Sequence, residues 1–180
     1  MIRAFLAIEL DDQRRSALAV QQFLLPLPRK EPIENLHLTL VFLGELREAE
    51  LERAHEAIAA LKLPSLSVEL SGLGLFGGER PRAAWAGVAP NPDLMRLQQK
   101  LETAVRRAGL SPEARRYLPH VTLGRFRPPP LDVTMRLERA IAEQSGFRVT
   151  PMPVSQVVLY ESIRQGDQRR YEELVRYPLG

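Results

Sequence analysis

Two of the three histidines in this chain begin the same four-residue pattern: His37-Leu38-Thr39-Leu40 and His120-Val121-Thr122-Leu123. Each copy sits in an apolar run, "ENLHLTLVFLGE" and "PHVTLGRFR". Side chains alternate across a β-strand, so residues two apart share a face. Each His therefore projects with its own Thr, while Leu38, Leu40, Val121 and Leu123 pack on the other side. One such strand on its own would suit a hydrogen-bonded core pair. Two copies at equivalent places ask for a fold in which both pairs are used together. If two related halves face each other about an approximate two-fold axis, both pairs converge on one cleft.

The pattern of elements around the motifs repeats in the same way. "MIRAFLAIEL" alternates as a strand. "DDQRRSALAVQQFLL" follows as a helix capped by Asp11 or Asp12, with Leu18 and Phe23 toward the core. After the loop "PLPRKEPIE" comes the first motif strand, ended by Gly44. A helix with Leu51, Ala54, Ile58 and Leu61 at helical spacing leads into a strand spanning "LSVELSGLGLF". Beyond "GGERPR" the order restarts with the strand "RAAWAGVA". The next helix is capped by Asn91, starts at Pro92, carries the stripe Leu94, Leu97, Leu101 and Val105, and ends at Gly109. The second motif strand, the helix "LDVTMRLERAIAEQSG" and the strand "PVSQVVLYES" complete the copy. A last strand, "RRYEELVRYPL", pairs back across "IRQGDQ".

Each half is thus strand, helix, strand, helix, strand. Arg3-Ala4 aligns with Arg82-Ala83 and His37 with His120, at offsets of 79 and 83 residues. Two copies of so long a unit indicate a duplicated half-domain rather than a solenoid. We expect residues 1–180 to form one domain of two pseudo-symmetric lobes, about 1–78 and 79–180, with strand exchange between them left open.

The residue types at the motifs define a chemistry. Histidine gives or takes a proton near neutrality. Of two, one as neutral imidazole draws a proton from water while the other, charged, protonates a departing oxygen. Threonine hydroxyls donate to non-bridging phosphate oxygens, where charge is stabilised in the transition state. Arginine supplies 22 of the 25 basic residues, and its planar fork suits phosphate. The formal charge of +3 permits an anionic partner without requiring one.

Other classes are excluded. There is no cysteine, hence no disulfide framework, thiolate metal site or cysteine nucleophile. "SGLGLFGGER" lacks the Lys-Ser/Thr ending and following helix of a phosphate-binding loop. His37, His55 and His120 lack ligand spacing for zinc, and His55 is expected to be a half-buried structural residue on its helix. The apolar run at the N-terminus is short and broken by Glu9, Asp11 and Asp12, and no stretch has the roughly 18–20 apolar residues of a membrane span. A cytoplasmic monomer without membrane contact is expected. Trp85 and Phe42 read as core, with base stacking by Phe42 or Tyr117 as the minor reading. Arg106, Arg107, Arg115, Arg116, Arg125 and Arg127 are candidates for a basic rim around the second motif.

The paired "HLTL" and "HVTL" motifs resemble those of the two-histidine (2H) phosphoesterase superfamily. With "RAFLAIEL", "RPRAAWAGV" and "LYES", the resemblance extends along essentially the whole chain to the RNA 2′,3′-cyclic phosphodiesterase branch, historically called 2′-5′ RNA ligase. It implies a bilobal α+β fold, its duplicated halves built of mainly antiparallel sheets around a central cleft, and no cofactor or metal. It implies hydrolysis of 2′,3′-cyclic phosphates on RNA ends or small nucleotides to 2′-phosphomonoesters, and it allows the reverse formation of 2′-5′ linkages. By the same resemblance His37 is the proton donor, His120 the proton acceptor, and Thr39, Thr122 and Arg125 hold phosphate. Simple alternation from His120 puts Arg125 on the opposite face, so reaching the cleft needs a bulge or a long side-chain path. The alternatives are a non-catalytic module that binds RNA phosphate ends, or a phosphodiesterase acting on ADP-ribose cyclic phosphate or 2′-5′ oligonucleotides.

Overall fold

The two motif strands lie side by side. In the computed structural model, which describes residues 1–180, β1 (Ile2–Glu9), α1 (Asp12–Leu24), β2 (His37–Leu46), α2 (Glu48–Ala59), β3 (Leu66–Val68) and β4 (Leu70–Phe76) come first. They are followed by β5 (Ala83–Val88), α3 (Pro92–Arg107), β6 (His120–Arg125), α4 (Leu131–Glu143), β7 (Met152–Val154), β8 (Gln156–Gln165) and β9 (Gln168–Pro178). Seven strands form one sheet in the order β4-β5-β6-β2-β1-β8-β9, and β3 and β7 form a separate ribbon. All pairings are antiparallel, so the fold is α+β. The strand before Gly77 joins the second motif's side of the sheet, and the late hairpin joins the first.

Local chemistry explains the helices that cover the sheet. Asp11 Oδ1 accepts from the Arg14 amide at 2.9 Å and Asn91 Oδ1 from the Leu94 amide at 3.0 Å, so both helices begin at satisfied caps. In α3 the expected stripe Leu94, Leu97, Leu101 and Val105 is buried. Each such side chain contributes about 1.5–3 kcal/mol on leaving water. Gly109, at φ +87°, turns the chain out of α3 in a conformation that side chains disfavour. Helices α2 and α3 pack on each other and on β2, and α1 lies against β6. The core beneath them is one cluster that includes Leu6, Ile8, Leu38, Leu40, Val121 and Leu123.

Three expectations are corrected. Phe23 is exposed, because the inner face of α1 is taken by Arg14, Leu18, Gln21 and Gln22. Arg14 is held there by the Thr150 and Pro151 carbonyls. "LSVELSGLGLF" and "PVSQVVLYES" are each two strands, since at Glu69 and Ser155 the chain changes partner between the ribbon and the large sheet. Continuous alternation does not register a change of partner. The first motif strand runs through Gly44 to Leu46.

Register also revises the alignment of the halves. Ala7 lies opposite Thr39 as Trp85 lies opposite Thr122, one residue away from the Arg3-Ala4 with Arg82-Ala83 match. Side-chain identity suggested that match; the hydrogen-bond ladder sets the true one. Between Thr39 and Val41, Leu40 is an extra residue in β2, and between Thr122 and Gly124, Leu123 is an extra residue in β6. Both motifs are thus followed by a β-bulge.

Candidate active site

Strands β2 and β6 meet at a single residue pair, Leu38 opposite Val121. These are the middle residues of the two motifs, and both are fully buried. Extending the antiparallel register by one residue sets His37 across from Thr122 and Thr39 across from His120. All four side chains then leave the sheet on the face opposite Leu38 and Val121. The two histidines are diagonal neighbours, which in a regular ladder stand roughly 7–8 Å apart, their Cβ atoms somewhat closer.

Both rings are held alike. His37 Nδ1 meets the Asn35 carbonyl at 2.6 Å, and His120 Nδ1 meets the Leu118 carbonyl at 2.7 Å. A carbonyl only accepts, so Nδ1 carries the hydrogen in each neutral ring and Nε2 is left as the acceptor. His37 Nε2 lies 2.8 Å from Thr39 Oγ1, whereas His120 Nε2 has no protein partner. The Tyr117 hydroxyl donates to the Thr39 carbonyl at 2.9 Å, tying the loop before β6 to β2.

Burial pushes His37 down to about 4, opposed by its bond to Asn35 and reinforced by the charges of Arg125, His120 and Arg15. His120 is lowered by the same causes, burial first and then Arg125 and Arg115, against its bond to Leu118. Both rings are therefore neutral at pH 7 before an anion enters. A bound phosphate brings the opposite charge and raises them again.

Arg125 reaches this face because of the bulge. Past Leu123 the parity of β6 inverts, so Arg125, opposite Ala83, points to the same side as Thr122. The bulge is gripped from outside. The Leu123 carbonyl accepts from the Glu31 amide at 2.9 Å and from the buried Gln22 Nε2 at 2.9 Å. Gln22 also donates to the Glu31 carbonyl at 2.8 Å. Gly124 lets the loop close in, because a Cβ there would collide with the Arg29 carbonyl.

Aromatic rings form the walls. Tyr171 stands edge-on to His37 at 5.0 Å, and Phe5 lies 4.9 Å from the same ring. Phe76 stands edge-on to His120 at 4.9 Å and packs on Trp85 at 5.4 Å. Trp85 is thus a wall residue rather than core: it shares the face of Thr122 and lies across Gly74, where any side chain would clash with it. Phe42 is likewise only half-buried, with the Arg115 guanidinium 5.5 Å above its ring. Neither Tyr171 nor Phe76 was marked by the sequence, since both come from strands distant from the motifs.

The remaining candidates fall elsewhere. Of the expected basic rim, Arg115 and Arg125 act on the histidines, while Arg106 is paired with Glu102. His55 contacts the Tyr177 hydroxyl through Nδ1 at 3.0 Å. No three His, Cys, Asp or Glu side chains come together as a ligand set.

Two His-Thr pairs thus stand on one face of the antiparallel sheet, each ring held by a backbone carbonyl, with a bulge-turned arginine beside them. The model of the 2′-5′ RNA ligase superfamily matches residues 12–166, and the chain belongs to that family. It is 36% identical over 137 residues to the RNA 2′,3′-cyclic phosphodiesterase of Aeropyrum pernix, covering 74% of this chain and 77% of that one. It is 32% identical to the protein of the same name from Methanothermobacter thermautotrophicus, over 89% of this chain and 90% of the other. Among solved structures, one from Thermus thermophilus superposes with a TM-score of 0.79 at 26% identity, covering 98% of this chain and 97% of that chain. The fold is also that of Escherichia coli LigT complexed with 3′-AMP, at a TM-score of 0.79 and 24% identity over 99% and 98% of the two chains. No helix is long and apolar enough to cross a membrane.

Proposed function

We propose that the chain hydrolyses 2′,3′-cyclic phosphates at RNA ends, or on small nucleotides, to 2′-phosphomonoesters. The observation that carries this reading is the Leu38–Val121 pairing, whose register brings both His-Thr pairs to one face. Relatives bearing the name of that activity support it. The cyclic ester holds its leaving group in a ring, so the work is positioning, charge stabilisation and two proton transfers.

In this reading His120 is the base. Its Nε2, without a protein partner, takes the proton of a water that attacks phosphorus. His37 in its charged form gives a proton to the departing 3′-oxygen, and the 2′-phosphate remains. Thr39 and Thr122 donate to non-bridging oxygens, with Arg125 neutralising the growing charge. The imidazole roles exchange when the reaction runs backwards to a 2′-5′ linkage. His37 is neutral in the empty site, so its donor form arises with the substrate, whose negative charge raises the ring. The same reading takes residues 1–180 as one domain of two related lobes, working as a cytoplasmic monomer.

The test is a panel of nucleoside and oligonucleotide 2′,3′-cyclic phosphates assayed with EDTA present, the product analysed for the hydroxyl that keeps the phosphate. The reading requires turnover and a 2′-phosphate. Binding without turnover would favour the phosphate-end module, and a 3′-phosphate would contradict the proton-transfer assignment.

A further inference from the structure

Beside the histidines the cleft continues into a trough bordered by Arg29, Lys30, Arg125, Gln168, Arg169 and Tyr171. It is not a separate feature of the surface. Tyr171, which stands edge-on to His37, and Arg125, which acts on both imidazoles, are shared between the cleft and this extension. Four cations border it against two carboxylates, Glu31 and Asp167. None of the four cations makes an ion pair, although Glu31 lies on the same wall.

The walls are fixed in place. Arg29 donates to the Asp167 carbonyl, Asn35 Nδ2 to the Arg169 carbonyl at 2.7 Å, and Arg169 Nη1 to Ser162 Oγ at 3.1 Å. The first two tie the tip of the β8–β9 hairpin to the proline-rich loop after α1, and the third lies within the hairpin. Arg29 and Arg169 are thus held before a ligand arrives, which lowers the cost of binding. The volume is about 130 Å³. That is below the range of roughly 300–1,000 Å³ typical of whole-ligand pockets and suits one tetrahedral anion. A neighbouring hollow of about 450 Å³ shares Lys30, Glu31, Pro32 and Gln168 with it and adds Ala19, Gln22, Ile33 and Glu34.

We propose that this trough is a second phosphate subsite, holding the internucleotide phosphate on the 5′ side of the terminal nucleoside. The inference rests on the function proposed above, in which the cyclic phosphate lies between His37 and His120. The next anion along the strand then falls one nucleoside away, and the adjoining hollow takes the nucleoside that follows. The chain is accordingly built for RNA ends in preference to free cyclic mononucleotides, with Lys30 and Arg169 as the specificity-determining residues.

The experiment compares two dinucleotides that carry a 2′,3′-cyclic phosphate, one with an ordinary internucleotide phosphate and one with an uncharged methylphosphonate linkage. Base, sugar and reacting group are the same in both. For the wild-type protein, KM should rise about tenfold on loss of the charge, as expected for a charge-assisted contact, with kcat little changed. In Lys30→Glu and in Arg169→Gln the difference between the two substrates should shrink to about twofold or less. Equal KM values for the two substrates in wild type overturn the subsite while leaving the hydrolase reading in place. Hydrolysis of neither by wild type overturns that reading and the subsite with it.

Discussion

An imidazole whose Nδ1 is tied to a backbone carbonyl can turn neither its tautomer nor its plane, so its remaining nitrogen is aimed. His37 and His120 are tied in this way two residues upstream, at Asn35 and Leu118. Both are also lowered by burial and by Arg125. The dependence of kcat/KM on pH reports the free protein, so its optimum should fall on the acid side of pH 6.5. The optimum of kcat should lie higher, because the bound phosphate raises both rings. In Arg125→Gln a positive neighbour is lost, both histidines rise, and the kcat/KM optimum should move upward while its height falls about 10²-fold. A full pH profile of both proteins checks this, and an unmoved optimum would separate Arg125 from the histidines. The His-x-Thr spacing made the pairs legible in the sequence. The lowered titration was not, since it depends on burial and on an arginine whose direction is a tertiary matter.

Among the elements, the bulge after each motif decides what the site contains. Strand alternation from His120 sends Arg125 to the wrong face, and one extra residue at Leu123 returns it. Nothing in "HVTLGRFR" specifies where a ladder skips. The cause lies in α1 and the loop after it, which bond to the Leu123 carbonyl through Gln22 and Glu31 respectively, the loop also leaning on Gly124. Gly124→Ala places a methyl against the Arg29 carbonyl. It should displace that loop and lower kcat/KM at least tenfold, with circular dichroism showing the fold retained. Wild-type activity in that variant would show that the loop does not hold Arg125. Helices α1 and α3 were readable from caps and stripes because local rules set them. The split of "LSVELSGLGLF" into β3 and β4 and the outward turn of Phe23 were not, because partners far along the chain decide both.

At the scale of the whole molecule, one pair of buried residues, Leu38 and Val121, joins the two motif strands and thereby sets the distance between the catalytic candidates. The repeat was visible in the sequence, but the seam at the motif centres was not, since similarity between copies says nothing of which strands touch. Burying a neutral imidazole there also couples stability to acid. His37 is held near 4 when folded against an ordinary 6.5, so the unfolded chain binds more protons between those values and stability falls as pH drops through that window. His37→Gln should lose less stability than wild type between pH 7 and pH 4.5, by a margin on the order of 2 kcal/mol, in urea unfolding at the two pH values. The most direct test of two imidazoles acting together on one phosphorus is the hydrolysis rate of a cyclic-phosphate dinucleotide by wild type, His37→Ala, His120→Ala and the double variant. Each single change should cost roughly 10²- to 10⁴-fold, and the double variant little more than the worse single, since the two work as a unit. A single variant that keeps the wild-type rate, or losses that multiply in the double, would contradict a shared site.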